Sequence, residues 1–150
     1  MKKLSFILLG FVIVLGACQK GSIPQLKHAM SAKVGKELWS SSHSDVSLQQ
    51  GVGTGITIVA DSADTKCVLS IGKYTGPGTY SLVNPENAAA FTNTVSGAGN
   101  ITHTASSGKI VVTDNFLNAE GMTEIKGTFE FLGDTLSVVN GAFDVSFNLD

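Results

Sequence analysis

The chain has 150 residues, with ten Lys, no Arg and twelve Asp or Glu, for a formal net charge of −2 at neutral pH. A sparse and slightly acidic charge set, without the guanidinium that grips phosphate through two parallel hydrogen bonds, argues against nucleic acid as a partner. Only 15% of the residues are charged while Gly, Ser, Thr and Val are frequent, a composition of strands and turns.

In chain order, Lys2 and Lys3 precede an apolar run from Leu4 to Leu15, and the small residues Gly16 and Ala17 lead to Cys18. About a dozen apolar residues fall short of the roughly 20 that span a bilayer, so the run reads as a secretory signal. Its end, Leu15-Gly16-Ala17-Cys18, resembles the bacterial lipobox. That resemblance implies removal of residues 1–17, a diacylglyceryl group on the Cys18 sulfur and an acylated α-amine. The other reading is an ordinary cut after Ala17 that leaves a free thiol. Two or three acyl chains acting together, at about 0.8 kcal/mol per buried methylene, give stable anchoring to a membrane without spanning it. Residues 18–27 then form a short polar tether, and residues 28–150 a single β domain that buries somewhat under ~70% of its unfolded surface. Nine extended tether residues reach only ~30 Å, so the domain is held close to the lipid.

The first strand pair reads Met30 to Val34 and Glu37 to Ser41 around Gly35-Lys36, a two-residue hairpin signal that sets Ala32 opposite Trp39 and makes Trp39 a core anchor. Residues 45–50 form a strand. The glycines of Gly51-Val52-Gly53-Thr54-Gly55 suggest half of a dinucleotide fingerprint, but a strand follows where that motif needs a helix, so the motif is rejected. Residues 56–60 and 66–72 are strands around the polar turn 61–65, and Cys67 shares parity with Leu69 and Ile71, which makes it a buried thiol. With Cys18 lipidated, Cys67 has no partner for an intramolecular disulfide. Thr75-Gly76-Pro77-Gly78 is a loop into the strand 79–83. Asn84-Pro85 suits the cap and first position of one helical turn through Ala90. Strands at 91–95, 100–105 and 109–113 follow, separated by Gly- and Ser-rich turns.

Residues 124–132, 135–139 and 142–147 read as a three-stranded meander closed by Gly133-Asp134 and Asn140-Gly141. Those loops set two apolar rows, Phe129-Val138-Phe143 and Phe131-Leu136-Val145. About nine or ten short strands with one-sided patterning imply an all-β antiparallel sandwich, with a partly open β-barrel as the alternative.

No catalytic constellation is visible. His28, His43 and His103 are scattered and read as solvated, and no Gly-x-Ser-x-Gly elbow, HExxH or paired-Cys spacing occurs. Asp61 and Asp64 share one turn but lack the acidic run of a calcium loop. The expectation is a non-enzyme with no metal and no cofactor. Tyr74 and Tyr80 flank the 75–78 loop as the one aromatic pair suited to glycan or apolar-ligand binding, against the simpler reading that Tyr80 packs under that loop.

With these residues placed, the chain resembles the small lipoproteins of Bacteroidota grouped as an uncharacterised domain family. The resemblance rests on the stretch Met30 to Trp39, on Gly78-Thr79-Tyr80-Ser81-Leu82, on Ile125 to Phe131 and on Val139 to Val145. It implies an outer-membrane lipoprotein with no catalytic residues to carry over, whose partners are the membrane and an envelope protein or glycan. The resemblance also implies O-glycosylation at Asp-Ser/Thr-apolar sites, here Ser62 and Thr135. Gln19-Lys20 resembles the start of a surface-export signal, but Gly21-Ser22 stand where acids are expected, so the inward face of the outer membrane and the cell surface both stay open.

Overall fold

The structure, a computed structural model, describes residues 29–41, 43–49 and 55–147. Cys18, the signal and tether, His28 and the residues Gly51 to Thr54 lie outside it. The described residues form eleven strands and no helix: β1 (Ala29–Val34), β2 (Glu37–Ser40), β3 (His43–Gln49), β4 (Gly55–Ser62), β5 (Thr65–Ile71), β6 (Gly78–Ser81), β7 (Asn87–Val95), β8 (Gly99–Thr104), β9 (Ser107–Leu117), β10 (Thr123–Leu132) and β11 (Ser137–Phe147). They pair antiparallel into a six-stranded sheet, β2-β1-β11-β10-β9-β6, and a five-stranded sheet, β3-β4-β5-β7-β8. Among the described residues each sheet ends in two edge strands with no further partner, so the architecture is a sandwich and not a closed barrel.

Alternation decides which face each sheet buries. On β4 and β5, Ile56, Ile58 and Ala60 face inward beside Cys67, Leu69 and Ile71, all buried, with Ala60 paired to Cys67 and Ile56 to Ile71. The other sheet answers with Ile110, Ile125, Phe131, Val138 and Val145, also buried. Fully burying one such side chain contributes about 1.5–3 kcal/mol, against about 0–1 for an exposed ion pair, so the space between the sheets holds the fold. Burial pushes the Cys67 thiol up to about 12, which makes it an inert core residue and not a nucleophile.

The hairpin β1–β2 has the expected register, Ala32 opposite Trp39. Gly35 at φ 60 takes the first turn position, where a II′ turn requires a residue free to enter φ > 0. Trp39 packs edge-on to Phe91 at 5.4 Å between centroids, and its indole N–H donates to Thr65 Oγ1 at 2.7 Å. It therefore ties the edge of one sheet to the other, as an anchor should.

Two expected elements differ. No helical turn follows Asn84. The Asn87 N–H donates to the Asn84 carbonyl at 3.0 Å and the Glu86 N–H to Asn84 Oδ1 at 3.1 Å, a β-turn with Asn first and Pro second. Asn87 then opens β7, and Ala88 to Ala90 lie in that strand. Likewise Asn140-Gly141 does not reverse the chain. It sits inside the continuous strand β11, where Phe129 pairs with Gly141 but Phe131 with Val138, leaving one extra residue on β11. Asn140 at φ 53 occupies the left-handed position of a β-bulge. A C-terminal meander does exist, as β9-β10-β11, with β9 in place of the strand the bulge was expected to split off. The preceding turn is centred on Asp134-Thr135, closed by Gly133 N–H to the Leu136 carbonyl at 2.8 Å. Phe131 consequently faces Val138 and not Leu136. A one-residue shift of the turn moves the pairing by two, which preserves the buried face.

Candidate functional site

The outer face of the six-stranded sheet carries the most continuous surface feature. Ser40, Ser31, Ala142, Thr128, Val111 and Thr79 are successive cross-strand partners over all six strands. These short side chains leave a trough between two rows of longer ones. Lys33, Glu130 and Lys109 stand on one bank, where Lys109 Nζ lies 3.2 Å from Glu130 Oε1. Asp144, Lys126 and Asp114 stand on the other. Depressions of about 360, 370 and 430 Å³ open along this face, lined among others by Thr128, Ala142, Ser31 and Leu38.

Lys126 is the hub of the second bank. Its Nζ lies 2.9 Å from Glu124 Oε1 and 3.0 Å from Asp144 Oδ2, and 5.7 Å from the centre of the Phe116 ring. The hydrogen bonds to Glu124 and Asp144 hold the ammonium above its usual range, and the same bond to Lys126 lowers the Glu124 carboxyl. At these half-buried surface positions the network fixes how the side chains are oriented along the bank.

Tyr74 and Tyr80 do come together, with ring centroids 6.0 Å apart. The Tyr80 hydroxyl donates to the Gly76 carbonyl at 2.5 Å and accepts from the Thr75 N–H at 3.2 Å. Both rings are half-buried and pack against the core, so the pair clips its own loop down. Ser62 is half-buried at the end of β4, where its carbonyl accepts from Thr65 Oγ1 at 2.7 Å. Thr135 is exposed at the tip of the β10–β11 turn.

His103 is the residue that local reasoning misplaced. Only 14% of its side chain is exposed, and its Nδ1 lies 3.0 Å from Asp134 Oδ1 and 3.3 Å from Thr135 Oγ1. The pair joins β8 of one sheet to the β10–β11 turn of the other. A nucleophile–base–carboxylate relay needs the two oxygens on different ring nitrogens. Here both meet Nδ1, so this is a latch between sheets. The His103 hydrogen bond, followed by the Thr135 N–H, holds the Asp134 carboxyl below its ordinary range. A depressed carboxylate contributes stability that is fully present above its unfolded value and lost as pH falls through the folded one. Asp134→Asn is therefore expected to lower the urea midpoint near neutral pH, with the deficit shrinking as the medium is acidified below the usual aspartate range. Equal midpoints at every pH would show that the latch contributes nothing.

Among the described residues no three His, Cys, Asp or Glu converge as a metal site. The fold and this face define a two-sheet β module with an open, grooved outer face. Residues 27–147 match the family described as "Domain of unknown function (DUF6252)", and the chain belongs to that family. No curated protein and no solved structure matches it.

Proposed function

We propose that the protein is a lipid-anchored lipoprotein of the bacterial outer membrane, of the Bacteroidota type. Its β domain is a non-enzymatic module that contacts an envelope protein or other macromolecule through the outer face of its six-stranded sheet. The observation that carries this reading is Leu15-Gly16-Ala17-Cys18 behind a basic, apolar leader. The trough supports the contact role, because it offers a broad, shallow surface of short polar and apolar side chains between banks of charge. The inert Cys67 thiol and the single-nitrogen His103 latch support the absence of catalysis.

Cys18→Ser tests the anchor. In cells fed labelled fatty acid, the wild-type chain is expected to be processed and labelled, and the variant to accumulate as an unlabelled precursor. Normal labelling of the variant would overturn the assignment. A second reading, a binder of glycan or a small apolar ligand, is favoured by the depressions on the same face. Saturable binding of a soluble oligosaccharide, abolished by Thr128→Arg in the middle of the trough, would select it over protein contact.

A further inference from the structure

We propose that the end of β9, which displays Phe116 and Leu117, rests together with the loop that follows it in the surface of a zwitterionic phospholipid bilayer, the one to which the chain is anchored. The proposal rests on the lipid-anchor reading of Cys18 and adds the side of the domain that meets the lipid. Phe116 is 44% exposed and Leu117 70% exposed, adjacent in sequence and at the same extremity of the sandwich. β1 begins near that same extremity. Ala29, the first residue of β1, pairs with Asp144, Asp144 with Lys126, and Lys126 with Asp114. Three interstrand steps of about 4.8 Å put Asp114 roughly 15 Å from Ala29, and Phe116 lies two residues further toward the same end.

The reach of the chain decides which end is near the lipid. From Cys18 to Ala29 the backbone spans at most ~40 Å fully extended. Ala29 is level with Asp114 on β9, and from there the opposite end of the strand, Ser107, lies about 24 Å away. Turning that end to the bilayer would require the tether to double back along the domain and spend over half of its reach doing so. The exposed Val83 and Leu132 stand toward that opposite end, beyond Ser81, which pairs with Lys109, and beside the β10–β11 turn. They are out of reach of the lipid when the Ala29 end faces it.

The loop is also built to hold its shape. Asn118 Oδ1 accepts from the N–H groups of Glu120 and Met122, each at 3.0 Å. The Asn118 N–H donates to the Met122 carbonyl at 2.9 Å and the Gly121 N–H to the Asn118 carbonyl at 3.0 Å. A preformed loop has little ordering entropy left to lose on contact. Asp114, Glu124 and Asp144 outnumber Lys126 beside it, so an anionic surface would repel this end and a neutral headgroup layer would accept it.

The test uses the full acylated chain in phosphatidylcholine vesicles whose acyl chains carry bromine, with Leu117→Trp compared to Val83→Trp; Trp39 is common to both. Emission from Leu117→Trp is expected to fall about twofold relative to unbrominated vesicles, as for a group seated at the headgroup–acyl boundary, and that from Val83→Trp to stay unchanged. Protein that floats with the vesicles while both variants remain unquenched overturns the loop contact and leaves the anchor standing. The same holds if Leu117→Trp is shielded from aqueous quencher by another protein and not by brominated lipid. A chain that takes up no fatty acid and does not float overturns the anchor itself, and this proposal with it.

Discussion

Gly127→Ala is expected to destabilise the domain by about 3 kcal/mol, at the upper end of what overpacking costs. Gly127 lies in the middle of β10, between β9 and β11. A methyl group built there would run into the carbonyl oxygen of Val111 on one side and the ring of Phe143 on the other. A ring can turn, but a backbone carbonyl in a paired central strand cannot move without breaking its ladder. For a domain of this size the expected fall in Tm is about 10 °C, read by thermal unfolding in circular dichroism. Gly78→Ala is the control, because nothing lies within 4 Å of its added methyl, and it should change stability by no more than about 0.5 kcal/mol. Equal effects of the two substitutions would mean that close packing does not require the glycine.

The same strand shows how far local pattern carries. The strands β4, β5 and β10 were legible because their apolar residues recur every second position, and the β1–β2 register because a Gly-first turn of two residues permits no other pairing. Asn140-Gly141 misled for a physical reason. A tight hairpin and a β-bulge draw on one property, tolerance of the left-handed region. What separates them is whether the partner strand continues, and β10 does, pairing on both sides of the bulge from Thr123 to Leu132. That information lies in the partner, not in the dipeptide. The extra twist a bulge introduces also shapes the trough, since Asn140 and Gly141 sit between Ala142 in its floor and Glu130 on its bank. His103 and Asp134 are 31 residues apart in sequence and belong to different sheets, so no window of sequence could pair them. The outer-face row was hidden similarly, because its six residues come from six strands and each alone is an unremarkable Ser, Thr, Ala or Val.

Phe143→Ala is expected to cost about 3–5 kcal/mol, the range for deleting a buried ring whose space does not collapse. Phe143 is 3% exposed, its ring centroid is 6.5 Å from that of Phe129, and it faces Met30 and Gly127 on its two neighbours. The arrangement repeats in the opposite sense one step along, where Phe129 pairs with Gly141 and its Cε1 lies 2.6 Å from where a methyl on that glycine would sit. Each glycine thus leaves room for the ring of the adjoining strand to lie flat on the sheet. If so, the two positions are coupled. In the Phe143→Ala background a methyl at residue 127 enters part of the space the ring vacated. The double variant should then be more stable than the sum of the two losses predicts, by about 1 kcal/mol, within the usual range for residues in contact. The Val111 carbonyl remains in place, so the penalty at Gly127 is reduced and not abolished. Urea unfolding of the four proteins measures this directly. Strict additivity would show that the carbonyl alone excludes a side chain at 127 and that the Phe143 ring takes no part in it.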